Sequence, residues 1–285
     1  MPLWKQIERE EASRGKGRRG GGRPAPPPGV WRERYGVTYA LDGPRGRLGI
    51  AWLIVIGAAL YVGLPGVAVV FVATGAFAAY QVAEAWPARD IDPDPLIAGV
   101  GAAAIVVAGA FDVRWMGAAL LVVVVLALGV AQLNARGSTL LSDAAHTVMA
   151  AGVVGIAGAS VVTCLRYDDR GAAALLLAFV LVFDVGDFIV GSGSSNPIEG
   201  PLAGGMAIGA VAAVAAVLNV PPFHGTTVWW FALLAVVLCP AGQYLASAIL
   251  PSARASASAL RRIDSLLVLA PAWVYFVGLF IQHHH

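Results

Sequence analysis

The chain has 285 residues, 58% of them hydrophobic and 13% charged, with a mean hydropathy of +0.75. That apolar share excludes an ordinary soluble domain and a disordered chain. The net charge is only +2, but eleven of the nineteen Lys and Arg lie in residues 1–47, beside five acidic residues. A basic arm on an apolar body points to a membrane surface before it points to nucleic acid.

Residues 1–46 read as a basic, Pro/Gly-rich tail, and the stretch RGKGRRGGGRPAPPP in it offers almost nothing to bury. The first apolar run begins near Leu48, so no cleavable signal peptide is expected. Nine apolar segments follow, at 48–63, 66–86, 96–111, 114–133, 143–164, 171–191, 201–219, 228–249 and 265–281. Each is long enough, or nearly so, to cross about 30 Å of hydrocarbon. Several are rich in Gly and Ala, which suits close helix packing. The break Gly63-Leu64-Pro65-Gly66 predicts a tight hairpin between the first two.

The expected fold is therefore all-α: one polytopic membrane domain over 47–282 with about nine transmembrane helices. The closing HHH at 283–285 has the look of a tag remnant. Cys164 and Cys239 fall inside apolar stretches and read as small core residues. Asp143 reads as a helix N-cap, and His146 as a packed, hydrogen-bonded ring. His224 is given no role. Trp229 and Trp230 fit an interfacial aromatic belt. Asp90, Asp92 and Asp94, like Asp168 and Asp169, read as solvated loop acids.

With the N-terminus inside, sixteen of the nineteen basic residues fall on the inner side, among them Arg89, Arg136, Arg254, Arg261 and Arg262. Arg114, Arg166 and Arg170 fall outside. On that orientation Glu84, Asp184, Asp187, Glu199 and Asp264, from four separate helix ends, approach the inner surface. Asp184 and Asp187, spaced i and i+3, share a helical face. A carboxylate inside a membrane is costly unless paired, hydrated or ion-bound. Three clustered carboxylates make a hard-oxygen set suited to Mg²⁺. The loop GSGSSN offers hydroxyls and backbone N–H groups to phosphate. Two of these acids also have a plainer reading: Asp187 as the partner of an inner arginine, Glu84 as an interfacial residue reaching water.

Five segments carry a resemblance. RRIDSLLVLAPAWVYF (261–276) resembles the C-terminal signature of the CDP-diacylglycerol synthase (phosphatidate cytidylyltransferase) family, an Asp-Arg-Leu/Ile-Asp-Ser run entering the last membrane helix. DVGDFIVG (184–191) is similar to that family's Asp-x-Gly-Ala-Tyr-x-x-Gly, and NPIEGPLAGG (196–205) to its Lys-Thr-x-Glu-Gly-x-x-Gly-Gly. GQYLASAIL (242–250) is loosely similar to its Gly-Asp-x-x-Glu-Ser segment. YQVAEAW (80–86) looks like the family's early helix, which ends in Glu and an aromatic.

The resemblance implies transfer of CMP from CTP to a lipid phosphate such as phosphatidic acid, with Mg²⁺, at the cytoplasmic face. It implies Asp184, Asp264 and Arg262 as catalytic residues, with Asp184, Asp187 and Asp264 around the metal. Glu199, Gly200, Asn196, Arg261, Arg254 and Ser265 would bind substrate. The implied partners are the lipid and CTP; no nucleic acid is expected, and a homodimer is left open. Composition rich in Ala, Gly, Val and Arg suggests a high-GC bacterium and its cytoplasmic membrane.

The chain also departs from the family. No lysine follows Lys16, Asn196 stands where the family has a lysine, and Arg261 and Gln243 replace family aspartates. LPSARASASAL (250–260) is shorter than its counterpart. Two other readings therefore stand beside the enzyme: a non-catalytic relative that binds a lipid or a partner, and a transporter using Asp184 and Asp187 as ion ligands.

Overall fold

The structure, a computed structural model, describes residues 45–89, 91–134, 140–168, 170–192, 194, 196–252 and 255–284. The basic tail, Arg254 and the Asp90, Arg136 and Asp169 positions of the sequence reading lie outside these. Among the described residues the chain is all-helical, with no strand. The α-helices are α1 (Arg45–Val62), α2 (Leu64–Glu84), α3 (Pro95–Gly109), α4 (Val113–Asn134), α5 (Leu140–Thr163), α6 (Arg170–Gly191), α7 (Glu199–Leu218), α8 (Thr227–Ala248) and α9 (Leu266–His284). They fall on the nine apolar segments. Six of these segments are long and apolar enough to cross a membrane: those in α2, α4, α5, α6, α7 and α8. The apolar parts of α1, α3 and α9 (Ala51–Val62, Pro95–Gly109 and Leu266–Gln282) are shorter.

Small residues decide which helices lie inside. α5 is the most buried long helix, with Gly152, Gly155 and Gly158 on its surface. A Cβ at Gly155 would meet Ala102 and Ile105 of α3 at 3.0–3.1 Å, and one at Gly158 would meet Val106 at 2.9 Å. Their absence lets α3 and α5 approach closely, so dispersion contacts replace lipid contacts. α4 carries no such constraint on most of its surface and exposes Leu121, Val122, Val125 and Leu126. Gly63 joins α1 to α2 at φ +90°, a backbone that favours glycine, so the predicted hairpin is present.

Successive helices run back and forth, and their ends gather into two rims. At one rim Asp92 N–H donates to Asp143 Oδ1 at 2.9 Å, and Trp86 Nε1–H to the Ile249 carbonyl at 3.1 Å. Ala259 N–H donates to Gln81 Oε1 at 2.9 Å. At the other rim Arg166 Nη1–H donates to the Ala110 carbonyl at 2.8 Å, and Tyr167 Oη–H to that of Phe111 at 3.2 Å.

Two local expectations change. α5 begins at Leu140, so Asp143 does not cap it; it lies in the first turn and holds the loop before α3. Asp94 is no free loop acid: its carboxylate caps α3, accepting from Ile97 N–H at 2.8 Å. His146 is packed as expected, edge-on to Trp86 with Nδ1 2.7 Å from the Ser142 carbonyl oxygen. Cys164 and Cys239 are buried and neither is in a disulfide, and Trp229 and Trp230 are exposed at the start of α8.

Candidate functional site

α6 enters the first rim carrying Asp184 and Asp187, one turn apart on an otherwise apolar helix. Two glycine contacts fix where it lies. A Cβ on Gly186 would sit 2.9 Å from the Ala203 carbonyl, and one on Gly204 would sit 2.6 Å from the Phe183 ring, so α6 and α7 touch backbone to backbone. On the other side, Gly242 lets α8 approach the turn before α9; a Cβ there would run into the Asp264 carbonyl oxygen. Helix α9 is preceded by a short 3₁₀ turn, Leu260–Arg262, which delivers Arg261, Arg262, Asp264 and Ser265 to this contact.

Ser265 Oγ–H donates to Asp184 Oδ1 at 2.5 Å, joining residues 81 positions apart. Ser265 N–H donates to Asp264 Oδ1 at 2.9 Å. Gln243 Nε2–H, from α8, donates to Asp187 Oδ2 at 3.0 Å. Arg261 Nη1 lies 3.8 Å from Asp264 Oδ2 and donates to Ser247 Oγ at 3.1 Å. Asp187, Gln243 and Asp264 are only 2%, 5% and 6% exposed, and Ser265 is fully buried. The charges of Asp264, Asp187 and Arg262 all act on Asp184.

Burial in this cluster raises the Asp264 carboxyl to about 7; Arg261 and the Ser265 N–H pull the other way, while Asp187 adds to the rise. Burial also lowers the Arg261 guanidinium from its ordinary value, with Asp264 opposing. Arg262 and Asp184 form the polar end of a cleft whose walls are Trp52, Ile56, Phe71, Leu177, Val180 and Leu266. Its free volume is about 20 Å³, room for about one water molecule.

The structure brings Asp184, Asp187, Arg261, Arg262, Asp264 and Ser265 together, six of the residues picked out in the sequence. Glu199, Gly200 and Asn196 are not part of this cluster. Glu199 is exposed and its Oε2 accepts from Ser194 Oγ–H at 2.7 Å, while Asn196 Oδ1 accepts from Ile198 N–H at 3.1 Å. They close the turn that starts α7, and Gly200 is buried in its first turn. The Ser194 hydroxyl is thereby engaged with the chain itself. Glu84 stands apart as well, beside a wider pocket of about 400 Å³ lined with Gln81, Pro251, Ser252 and Ser256.

A divalent ion needs several oxygen ligands directed at one point. Among the described residues no group of three His, Cys, Asp or Glu side chains is arranged to hold a metal ion. Asp184, Asp187 and Asp264 each accept from a protein donor instead. As they stand, these residues do not fit a three-carboxylate Mg²⁺ centre.

Gln243, Ser247 and Gly242 are the members of the site that sequence reading passed over. Gln243 and Ser247, spaced i and i+4, put two polar groups on one face near the end of an apolar helix, and that was the available signal. No protein-family model and no curated protein sequence matches the chain.

Proposed function

We propose that the protein is a CDP-diacylglycerol synthase-like integral membrane cytidylyltransferase, transferring CMP from CTP to a lipid phosphate such as phosphatidic acid. The observation that carries this reading is the Ser265–Asp184 hydrogen bond. It unites the two segments with the most specific resemblance, DVGDFIVG and RRIDSLLVLAP, in one polar cluster. On this reading all nine helices cross the bacterial cytoplasmic membrane, with α1, α3 and α9 as short spans. The acid-bearing rim faces the cytoplasm, in line with the sixteen-to-three distribution of basic residues.

The chemistry requires neutralised phosphate charge and in-line positioning. A phosphate oxygen of the lipid attacks the α-phosphorus of CTP, one P–O bond forms, and the bond to the β-phosphate breaks to release pyrophosphate. Arg262, half-buried at the polar end of the cleft, is placed to attract the lipid phosphate. Ser265 fixes the Asp184 carboxylate beside it.

A second reading, a non-catalytic relative that binds a lipid phosphate, is favoured by a specific observation: the three carboxylates are engaged by Ser265, Gln243 and Arg261 rather than directed at one point. Thermal unfolding of the full chain in lipid nanodiscs separates the two. The enzyme reading expects stabilisation by phosphatidic acid and by CTP, both weakened in Arg262→Gln. Stabilisation by the lipid alone supports the second reading, and a response to neither removes both.

A further inference from the structure

The acid cluster differs in kind from an ion site, and the difference lies in what faces each carboxylate. Asp184, Asp187 and Asp264 bring three carboxyl groups into a volume almost wholly excluded from solvent at Asp187 and Asp264. Such a group is stable only when each carboxyl is met by a donor, a cation or a proton. Here the donors come from the chain. Ser265 meets Asp184 through its hydroxyl and Asp264 through its backbone N–H, and Gln243 meets Asp187. Arg261 bridges Asp264 to Ser247 of α8, and the charge of Arg262 acts on Asp184.

Gln243 shows how committed this arrangement is. Its amide turns Nε2 to Asp187, and its Oε1 accepts no hydrogen bond although the atom is buried. A buried carbonyl without a donor is unfavourable. Reversing the amide would set its oxygen 3.0 Å from a carboxylate oxygen, acceptor against acceptor. The neutralising contact to Asp187 thus prevails over the unmet acceptor. A cation seated between Asp187 and Asp264 would have to displace this amide and compete with the Arg261 guanidinium.

We infer that Gln243 and Arg261 stand in for a metal ion, so that the cluster is a metal-free polar lock joining α6 and α8 to the start of α9. Gln243 is a positioning residue: it holds Asp187, and through the shared cluster the segment bearing Arg262 and Ser265. The lock places phosphate recognition on Arg262, the one arginine of the pair that faces the cleft. This inference is independent of turnover.

The test uses the full chain in nanodiscs without nucleotide, so that no ion carried by CTP enters. The wild type is expected to keep the same thermal midpoint in excess EDTA and in millimolar Mg²⁺ or Mn²⁺. Gln243→Glu replaces the amide donor by a fourth carboxylate at the same length. It is expected to lower the midpoint in EDTA and to regain it with Mg²⁺ or Mn²⁺. A wild-type midpoint that falls in EDTA and recovers with Mg²⁺ overturns the inference, as does a folded Gln243→Glu that ignores both ions. If Gln243→Glu does not fold, Mn²⁺ titration of the wild type followed by electron paramagnetic resonance decides. Absence of a stoichiometric site upholds the lock; one ion per chain, lost in Asp187→Asn, overturns it. CMP transfer is not read in any arm, so failure here leaves the transfer reading intact.

Discussion

The two rims of this helical chain solve the same problem with opposite chemistry. At the rim of α3, α4 and α5, helix-end carbonyls are met by Arg166 and Tyr167, both exposed, and by the buried Thr163 hydroxyl. Cationic and hydroxyl groups at a helix C-terminus complete unsatisfied carbonyls and complement the helix dipole, which is ordinary end closure. At the rim of α6, α8 and α9 the cross-links join side chain to side chain, are mostly buried, and concern three carboxylates. Nothing about closing a helix end requires an acid there. Buried carboxyl groups kept at the cost of so many donors make this rim the candidate functional site, whereas the contacts of the other rim serve end closure.

The sharpest way to break this contrast is to separate α8 from the turn before α9. Gly242→Ala drives a Cβ into the Asp264 carbonyl oxygen, a backbone atom with little room to yield. The expected loss is about 3 kcal/mol, at the upper end for overpacking. It should appear as a large fall in thermal midpoint together with loss of lipid-phosphate binding. Arg261→Ala comes next. It leaves Asp264 without its cation and Ser247 without its donor, and is expected to cost on the order of 2 kcal/mol, below a fully buried pair because Arg261 is 22% exposed. Chemical denaturation in mixed micelles reads this loss, and Arg261→Lys should restore only part of it.

Ser265→Ala removes the donor to Asp184 and is expected to cost about 1–2 kcal/mol. The pH dependence follows from Asp264. Its native carboxyl, near 7, lies above the unfolded value of about 4. Between these values the native state binds more protons than the unfolded state, so stability falls as pH rises from about 4 to about 7 and levels off above. Thermal midpoints measured across that window should decline in the wild type and show a weaker slope in Asp264→Asn. The smallest effect belongs to the other rim. Arg166→Ala is expected to cost under about 1 kcal/mol, because the side chain is exposed. It should leave ligand binding unchanged.

Much of this was legible in the sequence because hydropathy is a local property. The positions of the nine α-helices among the described residues, the α1–α2 hairpin and the buried thiols follow from runs of apolar residues and one Gly-Pro break. The pairing of Asp184 with the Asp264–Ser265 turn rested on side and depth, and the chain does bring them together. The failures share a cause. Asp143 and Asp94 were assigned from their neighbours in sequence, but their partners, Asp92 and Ile97 N–H groups, depend on where a loop folds back and where a helix starts. Glu199 shares only the rim with the cluster, and Ser194, five positions before it, satisfies it first. Gln243 looked like a lost carboxylate; only the packing of α8 on α6 reveals it as a donor to Asp187.

The most direct test of the central claim is turnover at this rim. Purified full-length protein in vesicles containing phosphatidic acid is supplied with CTP and Mg²⁺, and CDP-lipid is followed by mass. The account predicts CDP-lipid and pyrophosphate in equal amounts, lost in Asp184→Asn and retained in Arg166→Ala. Equal product from the wild type and Asp184→Asn, or none from the wild type with any lipid phosphate, would contradict it.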